Sequence, residues 1–560
     1  MIPVKRVMDS DFVIVGGGIA GLSAAISAGQ AGVKVTVLEK ADIRRSGSGC
    51  GGNDHFFCYL PEVHGSDIHK ILREMMISMV GDRMDGDLAL FFLEKSGEMV
   101  HRWHDWGINM KPYGDFVFRG HAFPGRPRIW LKYDGHNQKA VLNGKAREWG
   151  VHVLNRHSAL QVAVSGGRVV GVLALDTGRE EPSFTLVRSP HVLLATGATT
   201  RLYNSMVTPG HLFNSTTCPA CAGSGLAQGL RAGASLVNME LNGGHVGPAY
   251  FTRSGKATWI GVYKFPDGTP LGPFVTIPTK DCGDITADLW SEAFSQCRRD
   301  GRGPIYIDCS QISEEDYACM MRDFVSEGLT SLRAYMDRHG LDLRRHAVEF
   351  VEYECGLLGE GLVIDKRAET TVPGLYAAGD LMGNVRGEVA AAAVFGWECG
   401  RAVADRGYAH PREELADLED MRACMEFYSS LYERKSGAPW KEANVALAQI
   451  MTDYIPVGEG RKRSGTMMTA GLNYLLELRE RCAAEIKAGN SHELMRAAEV
   501  FELMDIGETI ARCALERKES RYDHVRTDFP FSDPKYMDAF LTVTRVEGKY
   551  VFSLRERRSA

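Results

Sequence analysis

A strand–turn–helix unit at the start of the chain constrains its fold more than any other feature of the sequence. Residues 12–15 form a short apolar run that is typical of a buried parallel strand. The sequence Gly-Gly-Gly-Ile-Ala-Gly follows it directly, from Gly16 to Gly21. A helix-prone segment rich in alanine covers residues 19–30, and a second β-branched run covers residues 33–38. This order predicts a βαβ unit, and therefore an α/β protein with a parallel sheet.

The spacing of the glycines predicts a dinucleotide site at this turn. Gly16 permits a tight turn, Gly18 lets the backbone approach a pyrophosphate, and Gly21 allows the helix to pack closely on the strand. The helix N-terminus offers free N–H groups to the phosphates. Glu39, which closes the second strand, can bind ribose hydroxyls and repels a 2′-phosphate. The predicted dinucleotide contacts are Gly16, Gly18, Ala20, Gly21, Glu39 and Lys40. This motif alone leaves FAD and NAD open as the ligand.

Two later segments point to FAD. Residues 192–198 and 374–380 each form a short apolar strand that ends in a turn of small residues. With them the chain resembles the flavoproteins of the fumarate reductase/succinate dehydrogenase superfamily, in which these segments help to build an FAD site. Residues 514–521 and 526–530 are similar to the helical domain of the same superfamily. The further FAD contacts that the resemblance implies are Thr196, Gly197, Gly379 and Asp380.

The resemblance also implies the domain organisation. We expect an α/β fold: a Rossmann-like FAD-binding domain, an inserted α+β capping domain and a C-terminal helical domain. The FAD-binding domain is expected in two segments, residues 1–246 and 346–408, on either side of a capping domain at 247–345. Residues 409–560 are mostly helical in character and end in a predicted hairpin around 540–554, with Glu547-Gly548 as its turn.

A glycine-rich loop at residues 44–53 is expected to contact the flavin ring. In covalent members of the superfamily a histidine precedes this loop. The corresponding position here falls near Arg45, and the loop contains no histidine. We therefore expect FAD to be bound non-covalently. The residues of this loop predicted to contact it are Ser46, Ser48, Gly51, Gly52 and Asn53.

Within the superfamily, the chain most resembles the α subunits of adenylylsulfate (APS) reductases. The similar segments are residues 126–136, 151–156 and 301–308. This resemblance implies an FAD-dependent oxidoreductase that exchanges electrons between an anionic substrate at flavin N5 and a ferredoxin-like iron–sulfur subunit. The alternative is a stand-alone, fumarate-reductase-like enzyme that reduces an activated C=C bond in a carboxylate. A scaffold protein that keeps FAD without catalysis is a third hypothesis.

Several substrate-binding positions of both families are changed. We find no Arg-Gly-Glu-Gly segment of the fumarate reductase kind, and residues 353–362 lack the histidine of the His-x-x-x-Gly-Gly-Ile motif. The arginine that follows Pro-Ala in APS reductases is replaced at Tyr250-Phe251, and the substrate histidine is replaced by Arg386. Fumarate is therefore an unfavourable candidate, and the anion pocket is expected to be rebuilt.

Three residues are candidates for contact with the substrate. Arg386 lies beside the expected flavin site and can bind a carboxylate, sulfonate or phosphate in a bidentate manner, although a salt bridge with Glu388 or Asp380 is an equal alternative. His136 can transfer protons near neutral pH, and Arg128 can contact an anion. For His136 a structural histidine is the alternative, and for Arg128 it is a solvated loop.

The sequence Cys218-Pro219-Ala220-Cys221 is a C-x-x-C motif close to the expected cofactor site. A redox-active dithiol is one interpretation, but we favour two buried structural thiols at a helix start. A single C-x-x-C is too little for a zinc or iron–sulfur site in this chain, so no metal site is predicted.

Composition excludes other classes of function. The 65 Lys and Arg nearly balance the 71 Asp and Glu, which is not typical of nucleic-acid binding. No apolar run approaches the ~18 residues of a membrane span, so no membrane insertion is expected. The start of the chain lacks the apolar region of a secretory signal, and the 13 cysteines are scattered. These features predict reduced thiols and a cytoplasmic location.

Overall fold

A parallel sheet of five strands forms the centre of the molecule. The computed structural model describes residues 1–78, 83–120, 125–204, 218–249, 258–273, 275–353, 357, 359–457 and 462–558. The strands are β1 (Val4–Asp9), β2 (Phe12–Val15), β3 (Val35–Glu39), β4 (His55–Phe57), β5 (Val117–Phe118), β6 (Trp130–Lys132), β7 (His152–Asn155), β8 (His157–Ser165), β9 (Arg168–Asp176), β10 (Ser183–Arg188), β11 (Val192–Leu194), β12 (Leu236–Val237), β13 (Val246–Pro248), β14 (Val262–Lys264), β15 (Ile305–Asp308), β16 (Val348–Glu352), β17 (Gly361–Leu362), β18 (Leu375–Ala377), β19 (Ala539–Val546) and β20 (Lys549–Glu556). The helices are α1 (Ile19–Gln30), α2 (Pro61–His64), α3 (Ile68–Ser78), α4 (Gly86–Asp105), α5 (Gln138–Glu148), α6 (Ser224–Arg231), α7 (Thr286–Leu289), α8 (Glu292–Arg299), α9 (Glu314–Ser326), α10 (Thr330–His339), α11 (Glu388–Arg406), α12 (Glu419–Glu433), α13 (Trp440–Tyr454), α14 (Gly465–Glu485) and α15 (Ser491–Glu516).

The central sheet has the strand order β18-β11-β2-β3-β7, and every neighbouring pair is parallel. All residues of β2 and β3 are buried, as expected for parallel strands that are covered on both faces. Helix α1 packs against α5 and α11. Because parallel strands end at the same edge, the turns after β2, β3, β11 and β18 meet there. The predicted α/β fold with a βαβ unit at its start is confirmed.

The inserted capping region has its own antiparallel sheet and its own apolar core. The sheet has the order β13-β16-β15-β14, and Trp259, Phe324 and Phe350 pack in the core beside it. Strand β16 pairs with both β13 and β15 and is an inner strand of this sheet. It begins at Val348, after the expected domain boundary at residue 345. In this sheet the insertion therefore extends from β13 to Glu352. Several residues singled out in the sequence, 250–251, 354–356 and 358, lie outside the described residues.

The last part of the chain is not a purely helical unit. Helices α12 to α15 are followed by the predicted hairpin, whose turn is at Glu547-Gly548 as expected. Strand β19 of this hairpin pairs with β12, and β12 also pairs with β17, so the hairpin completes a sheet with strands of the FAD-binding part. Among the described residues, none of the helices combines the length and the apolar character that a transmembrane segment requires.

Candidate active site

The glycine turn after β2 is shaped by close backbone approaches. Gly16 has φ +104°, and a Cβ atom there would lie 2.4 Å from the Ala195 carbonyl oxygen. A Cβ atom at Gly21 would lie 2.0 Å from the Gly16 carbonyl oxygen. At Gly18, in contrast, a Cβ atom would meet only Gly47, at 3.8 Å. The backbone at Gly18 is therefore accessible to a ligand, whereas a side chain at Gly16 or Gly21 would clash with neighbouring backbone atoms.

Glu39 is fixed at the rim of this turn. Its Oε2 accepts a hydrogen bond from the Gly17 N–H (2.7 Å), and its Oε1 accepts one from the Ala41 N–H (2.7 Å). The carboxylate is thus held where a ribose would meet it. The next residue, Lys40, points to helix α15, where its Nζ lies 2.8 Å from Glu499 Oε1.

The loop expected to contact the flavin lies directly against the glycine turn. Gly47 has φ +89°, and a Cβ atom there would lie 2.9 Å from the Gly18 Cα. The Gln138 side chain donates hydrogen bonds to the Gly49 carbonyl (2.7 Å) and to Asn53 Oδ1 (2.8 Å), which fixes the far half of the loop. Ser48 and Gly51 bound a short 3₁₀ turn in between.

The turns after β11 and β18 complete the same edge. Thr196 Oγ1 accepts a hydrogen bond from the Gly225 N–H (3.0 Å). Gly379 has φ +88°, and a Cβ atom there would lie 3.3 Å from the Ala20 side chain. Asp380 follows it, and burial together with the nearby negative charge of Glu388 raises the pKa of its carboxyl. The structure thus brings the predicted cofactor residues of four separate segments together at one edge of the sheet.

These residues fit a dinucleotide. A Cβ atom at Gly18 would contact only Gly47, so the backbone there is accessible to a pyrophosphate. The Ser46 hydroxyl is buried and has no hydrogen-bond partner among the described residues, which is costly unless a ligand supplies one. A backbone-held carboxylate stands at the ribose position. FAD would therefore be held by the ends of β2, β3, β11 and β18 and by the loop at 44–53.

A buried ion-pair network follows this loop, and the sequence did not reveal it. His55 Nδ1 lies 2.5 Å from Asp54 Oδ1, and Lys132 Nζ lies 2.6 Å from Asp54 Oδ2. Burial opposes ionisation of Asp54, but Lys132 and His55 hold the pKa of its carboxyl well below the usual range. Burial likewise opposes the charge on His55, but the Asp54 carboxylate raises the pKa of its imidazole to about 10. His55 is therefore protonated at neutral pH.

The capping region contributes to the same network. Glu327, just after α9, accepts a hydrogen bond from the Asp54 N–H (3.1 Å). Asp323 on α9 lies 3.6 Å from Lys132 Nζ and accepts a hydrogen bond from the Tyr113 hydroxyl (2.6 Å). The end of α9 thus closes over the flavin loop.

Asp54, His55 and Glu327 offer ligand atoms within 4.8 Å of one another, a spacing that a metal ion can use. However, the Lys132 ammonium and the protonated His55 already neutralise Asp54. A divalent cation would have to displace both charges. We therefore interpret the cluster as an ion-pair network.

Arg386 and Glu388 extend this network toward the cofactor edge. Glu388 Oε2 lies 3.4 Å from His55 Nε2, and Glu388 Oε1 lies 3.7 Å from Arg386 Nη2. Burial opposes ionisation of Glu388, but the hydrogen bond from His55, with the Arg386 charge, lowers the pKa of its carboxyl to about 2. Among the described residues, the Arg386 guanidinium donates no hydrogen bond, and its side chain is 24% exposed. Of the two interpretations of Arg386, the salt bridge with Glu388 exists, but it is long.

The other two substrate candidates lie in different surroundings. His136 packs beside Gly52, and its Nδ1 lies 2.7 Å from Asp134 Oδ1 with the side chain 59% exposed. Arg128 precedes β6, at the opposite end of that strand from Lys132, and its carbonyl accepts a hydrogen bond from His64 Nε2 (3.0 Å). The structure therefore places His136 at the flavin loop and the Arg128 backbone at the far end of β6.

Comparison with known proteins gives the family. A family described as "FAD binding domain" matches residues 11–394, and one described as "Fumarate reductase flavoprotein C-term" matches residues 444–556. The chain is a flavoprotein of the fumarate reductase/succinate dehydrogenase family. This flavoprotein is an FAD-dependent oxidoreductase, as the resemblance implied.

Known relatives match over almost the whole flavoprotein. It is 22% identical to a subunit of the fumarate reductase (CoM/CoB) of Methanothermobacter marburgensis, over 98% of this chain and 99% of that one. It is 25% identical to the L-aspartate oxidase of Yersinia pestis, over 93% of this chain and 96% of that one. Among solved structures, adenylylsulfate reductase of Archaeoglobus fulgidus superposes with a TM-score of 0.81 at 21% identity, covering 99% and 96% of the two chains. These likenesses confirm the predicted fold of the flavoprotein.

Proposed function

We propose that this flavoprotein oxidises or reduces a small anion that Arg386 holds beside the flavin, and that it exchanges the electrons with a ferredoxin-like iron–sulfur subunit. The observation that carries this proposal is the state of Arg386. Its guanidinium is half-buried at the cofactor edge and donates no hydrogen bond among the described residues. A guanidinium with unused donors favours binding of a planar anion that accepts hydrogen bonds from two of its N–H groups.

The neighbours of Arg386 support binding of an anion. Glu388 is close enough to orient the guanidinium, at 3.7 Å, but too far to satisfy its donors. On the other side of Glu388 stands the protonated imidazole of His55, at 3.4 Å. The Glu388 carboxylate is therefore shared between two cations, and the N–H groups of Arg386 stay available to a substrate carboxylate, sulfonate or phosphate.

When bound, FAD supplies the two-electron chemistry. The chain's own residues bind and orient the substrate. Arg386 fixes the anion, and Glu388 fixes Arg386. His136 is held by Asp134 next to Gly52, so its exposed imidazole can exchange protons between solvent and the substrate side of the loop. Arg128 has no part in this proposal.

We propose that the cofactor is held without a covalent bond. No histidine lies in the loop at 44–53. His55, the nearest in the sequence, is engaged by Asp54 and Glu388, and His136, which packs beside Gly52, is engaged by Asp134. Acid precipitation of the protein should therefore release all of its flavin into the supernatant. Yellow colour that stays with the washed pellet would contradict this proposal.

The electron partner is proposed from the resemblance to APS reductase α subunits and from a fold that matches such a reductase along 99% of this chain. A ferredoxin-like protein that reoxidises or reduces the bound flavin at catalytic rates would support it. Full turnover with a free dye as sole electron donor, unchanged by any ferredoxin, would contradict it.

The substrate is tested by an anaerobic visible spectrum of the FAD-loaded protein. If the substrate is of the APS reductase class, AMP and sulfite together should bleach the flavin band, and neither alone should do so fully. Arg386→Met should weaken the apparent affinity for the anion by about tenfold to a hundredfold, since a bidentate charged contact contributes roughly 1.5–3 kcal/mol. Arg333→Met is the matched control, because Arg333 pairs with Asp337 on the surface of α10. An equal effect of both substitutions would contradict the assigned role of Arg386.

The alternative, reduction of an activated C=C bond in a carboxylate, has two observations in its favour. Arg386 and the protonated His55 lie on either side of Glu388, beside the proposed position of the substrate anion, and sequence relatives include fumarate reductases. Turnover of an enoate such as fumarate with a free reductant, and no response to AMP plus sulfite, would favour this function.

A further inference from the structure

The Cys218–Cys221 turn has the geometry of a reactive dithiol. The Cys221 N–H donates to the Cys218 carbonyl (2.9 Å), which closes the turn that carries the two cysteines. Cys218 is exposed and Cys221 is half-buried. The expectation of two buried structural thiols is therefore wrong for Cys218, because the turn presents its sulfur to solvent.

Positive charge surrounds this turn. Glu499 on α15 is shared by three cations, with Lys40 Nζ at 2.8 Å, Arg201 Nη2 at 2.5 Å and Arg496 Nη1 at 2.9 Å. Lys40 also donates a hydrogen bond to the carbonyl of Ala220, inside the turn. Two of these cations, Lys40 and Arg496, act on the Cys218 sulfur and favour its thiolate.

The two thiols differ in their pKa values. The hydrogen bond from the Cys221 thiol is the main cause that lowers the pKa of Cys218 to about 6, with Ala220, Lys40 and Arg496 adding to it. The pKa of Cys221 is raised by the same hydrogen bond, by burial and by the Cys218 charge. Asp380 raises it further, whereas Lys40 lowers it. Cys218 is therefore the ionised partner at neutral pH, and Cys221 is the protonated one.

We propose that Cys218 and Cys221 form a thiol–disulfide exchange site for low-molecular-weight disulfides. The Cys218 thiolate attacks one sulfur of the disulfide RSSR, so that a Cys218–SR bond forms and RS⁻ leaves. Cys221 then loses its proton to solvent and attacks the Cys218 sulfur, and the second RS⁻ leaves. In total the two cysteines are oxidised to one disulfide, and RSSR is reduced to two RSH.

The charge distribution supports both steps. In the first step the exposed sulfur is already ionised, so the nucleophile needs no base. Forming the mixed disulfide removes the negative charge on Cys218 and the acceptor of the Cys221 hydrogen bond. Two causes that raise the pKa of Cys221, the hydrogen bond to Cys218 and the Cys218 charge, then disappear. Burial and Asp380 still raise this pKa, and the nearby Lys40 lowers it.

The site also lies against the cofactor edge. A Cβ atom at Gly197 would lie 3.2 Å from Cys221 Sγ, and the Thr200 N–H donates to the Cys221 carbonyl (2.8 Å). These contacts join the turn to the segment that follows β11. The exchange itself needs no flavin, so it can be tested separately from the proposed function.

The test uses the full-length protein, reduced and then freed of reductant, with oxidised glutathione as the probe. Peptide mass analysis after alkylation should show a Cys218–Cys221 disulfide in the native chain. Cys221→Ser should instead accumulate a mixed disulfide of glutathione on Cys218, and Cys218→Ser should form neither product. In Cys221→Ala, which cannot donate the thiol hydrogen bond, the pH midpoint for alkylation of Cys218 should rise from near 6.

Cys50, which is also exposed but has no partner cysteine in its turn, is the internal control and should form no intramolecular disulfide under these conditions. The proposal is overturned if Cys221→Ser traps no mixed disulfide, or if native Cys218 reacts with a pH midpoint equal to that of the urea-unfolded chain. Retention of flavin and of the folded far-UV spectrum in each variant separates these outcomes from misfolding.

Discussion

Glu388 begins helix α11 with φ +50°, a left-handed conformation that glycine adopts easily and glutamate does not. Such strain persists only where the surroundings hold it, and it is common at functional sites. Here the conformation aims the carboxylate between His55 and Arg386, at 3.4 and 3.7 Å. We interpret the strain as the cost of presenting Arg386 in a fixed position.

The charge on His55 makes stability depend on pH. Its pKa is raised to about 10 in the folded protein, from about 6.5 in an unfolded chain. The folded state therefore binds one proton more between these values. The stabilisation is complete below pH 6.5 and is lost as the pH rises toward 10, by up to about 1.4 kcal/mol per pH unit. His55→Gln should remove this slope from urea unfolding curves measured between about pH 7 and 9.5.

His191→Gln provides the comparison. Burial lowers the pKa of His191, so it is neutral in both states across this pH range, and its substitution should leave the slope unchanged. If the slopes of the native protein and His55→Gln coincide, then His55 is not charged in the fold.

At the scale of single residues, the sequence predicts only part of the ion-pair network around Asp54. Asp54 and His55 follow Asn53 directly, so their nearness to the flavin loop could have been inferred. Lys132 and Glu327 come from distant segments, and nothing in their local sequence marks them as partners of Asp54. Their contact depends on the packing of the capping region, which local patterns do not encode.

At the scale of elements, the turn from β2 to α1 has two kinds of glycine. A Cβ atom at Gly21 would overlap the Gly16 carbonyl at 2.0 Å, whereas one at Gly18 would meet only Gly47 at 3.8 Å. Gly21→Ala should therefore destabilise the cofactor-free chain by about 1–3 kcal/mol, as overpacking does. Gly18→Ala should change that stability by less than about 1 kcal/mol but weaken FAD binding at least about tenfold.

Thermal unfolding without cofactor and titration with FAD measure the two effects. Equal loss of stability in both variants, or full FAD affinity in Gly18→Ala, would show that the pyrophosphate does not approach at Gly18.

Elements of this kind are well predicted from sequence, because the turn requires glycine for local steric reasons. Strand β16 was missed at the domain boundary for the opposite reason. It exists through pairing with β13 and β15, and β13 lies about a hundred residues earlier in the chain.

At the scale of the whole molecule, the capping region and the flavin loop meet backbone to backbone. Gly328 has φ +80°, and a Cβ atom there would lie 2.4 Å from the Gly51 carbonyl oxygen. Gly328→Ala should force the two apart. We expect FAD binding to persist, turnover to fall about tenfold or more, and quenching of flavin fluorescence by iodide to increase.

Gly340→Ala is a matched control at the end of α10. Gly340 also has a positive φ, +63°, but a Cβ atom there would meet nothing within 4 Å. Both variants carry a similar backbone strain, so only the contact with the loop differs. Similar turnover in the two variants would show that this contact does not matter for catalysis.

The hairpin β19–β20 has a consequence for how the protein is made. Its strand β19 pairs with β12, about three hundred residues earlier, in a sheet that also includes β17. During synthesis, β12 therefore keeps an unpaired edge while the roughly three hundred residues up to β19 are made. Until β19 has left the ribosome, the nascent chain carries an open strand edge that chaperones can bind and through which it can aggregate.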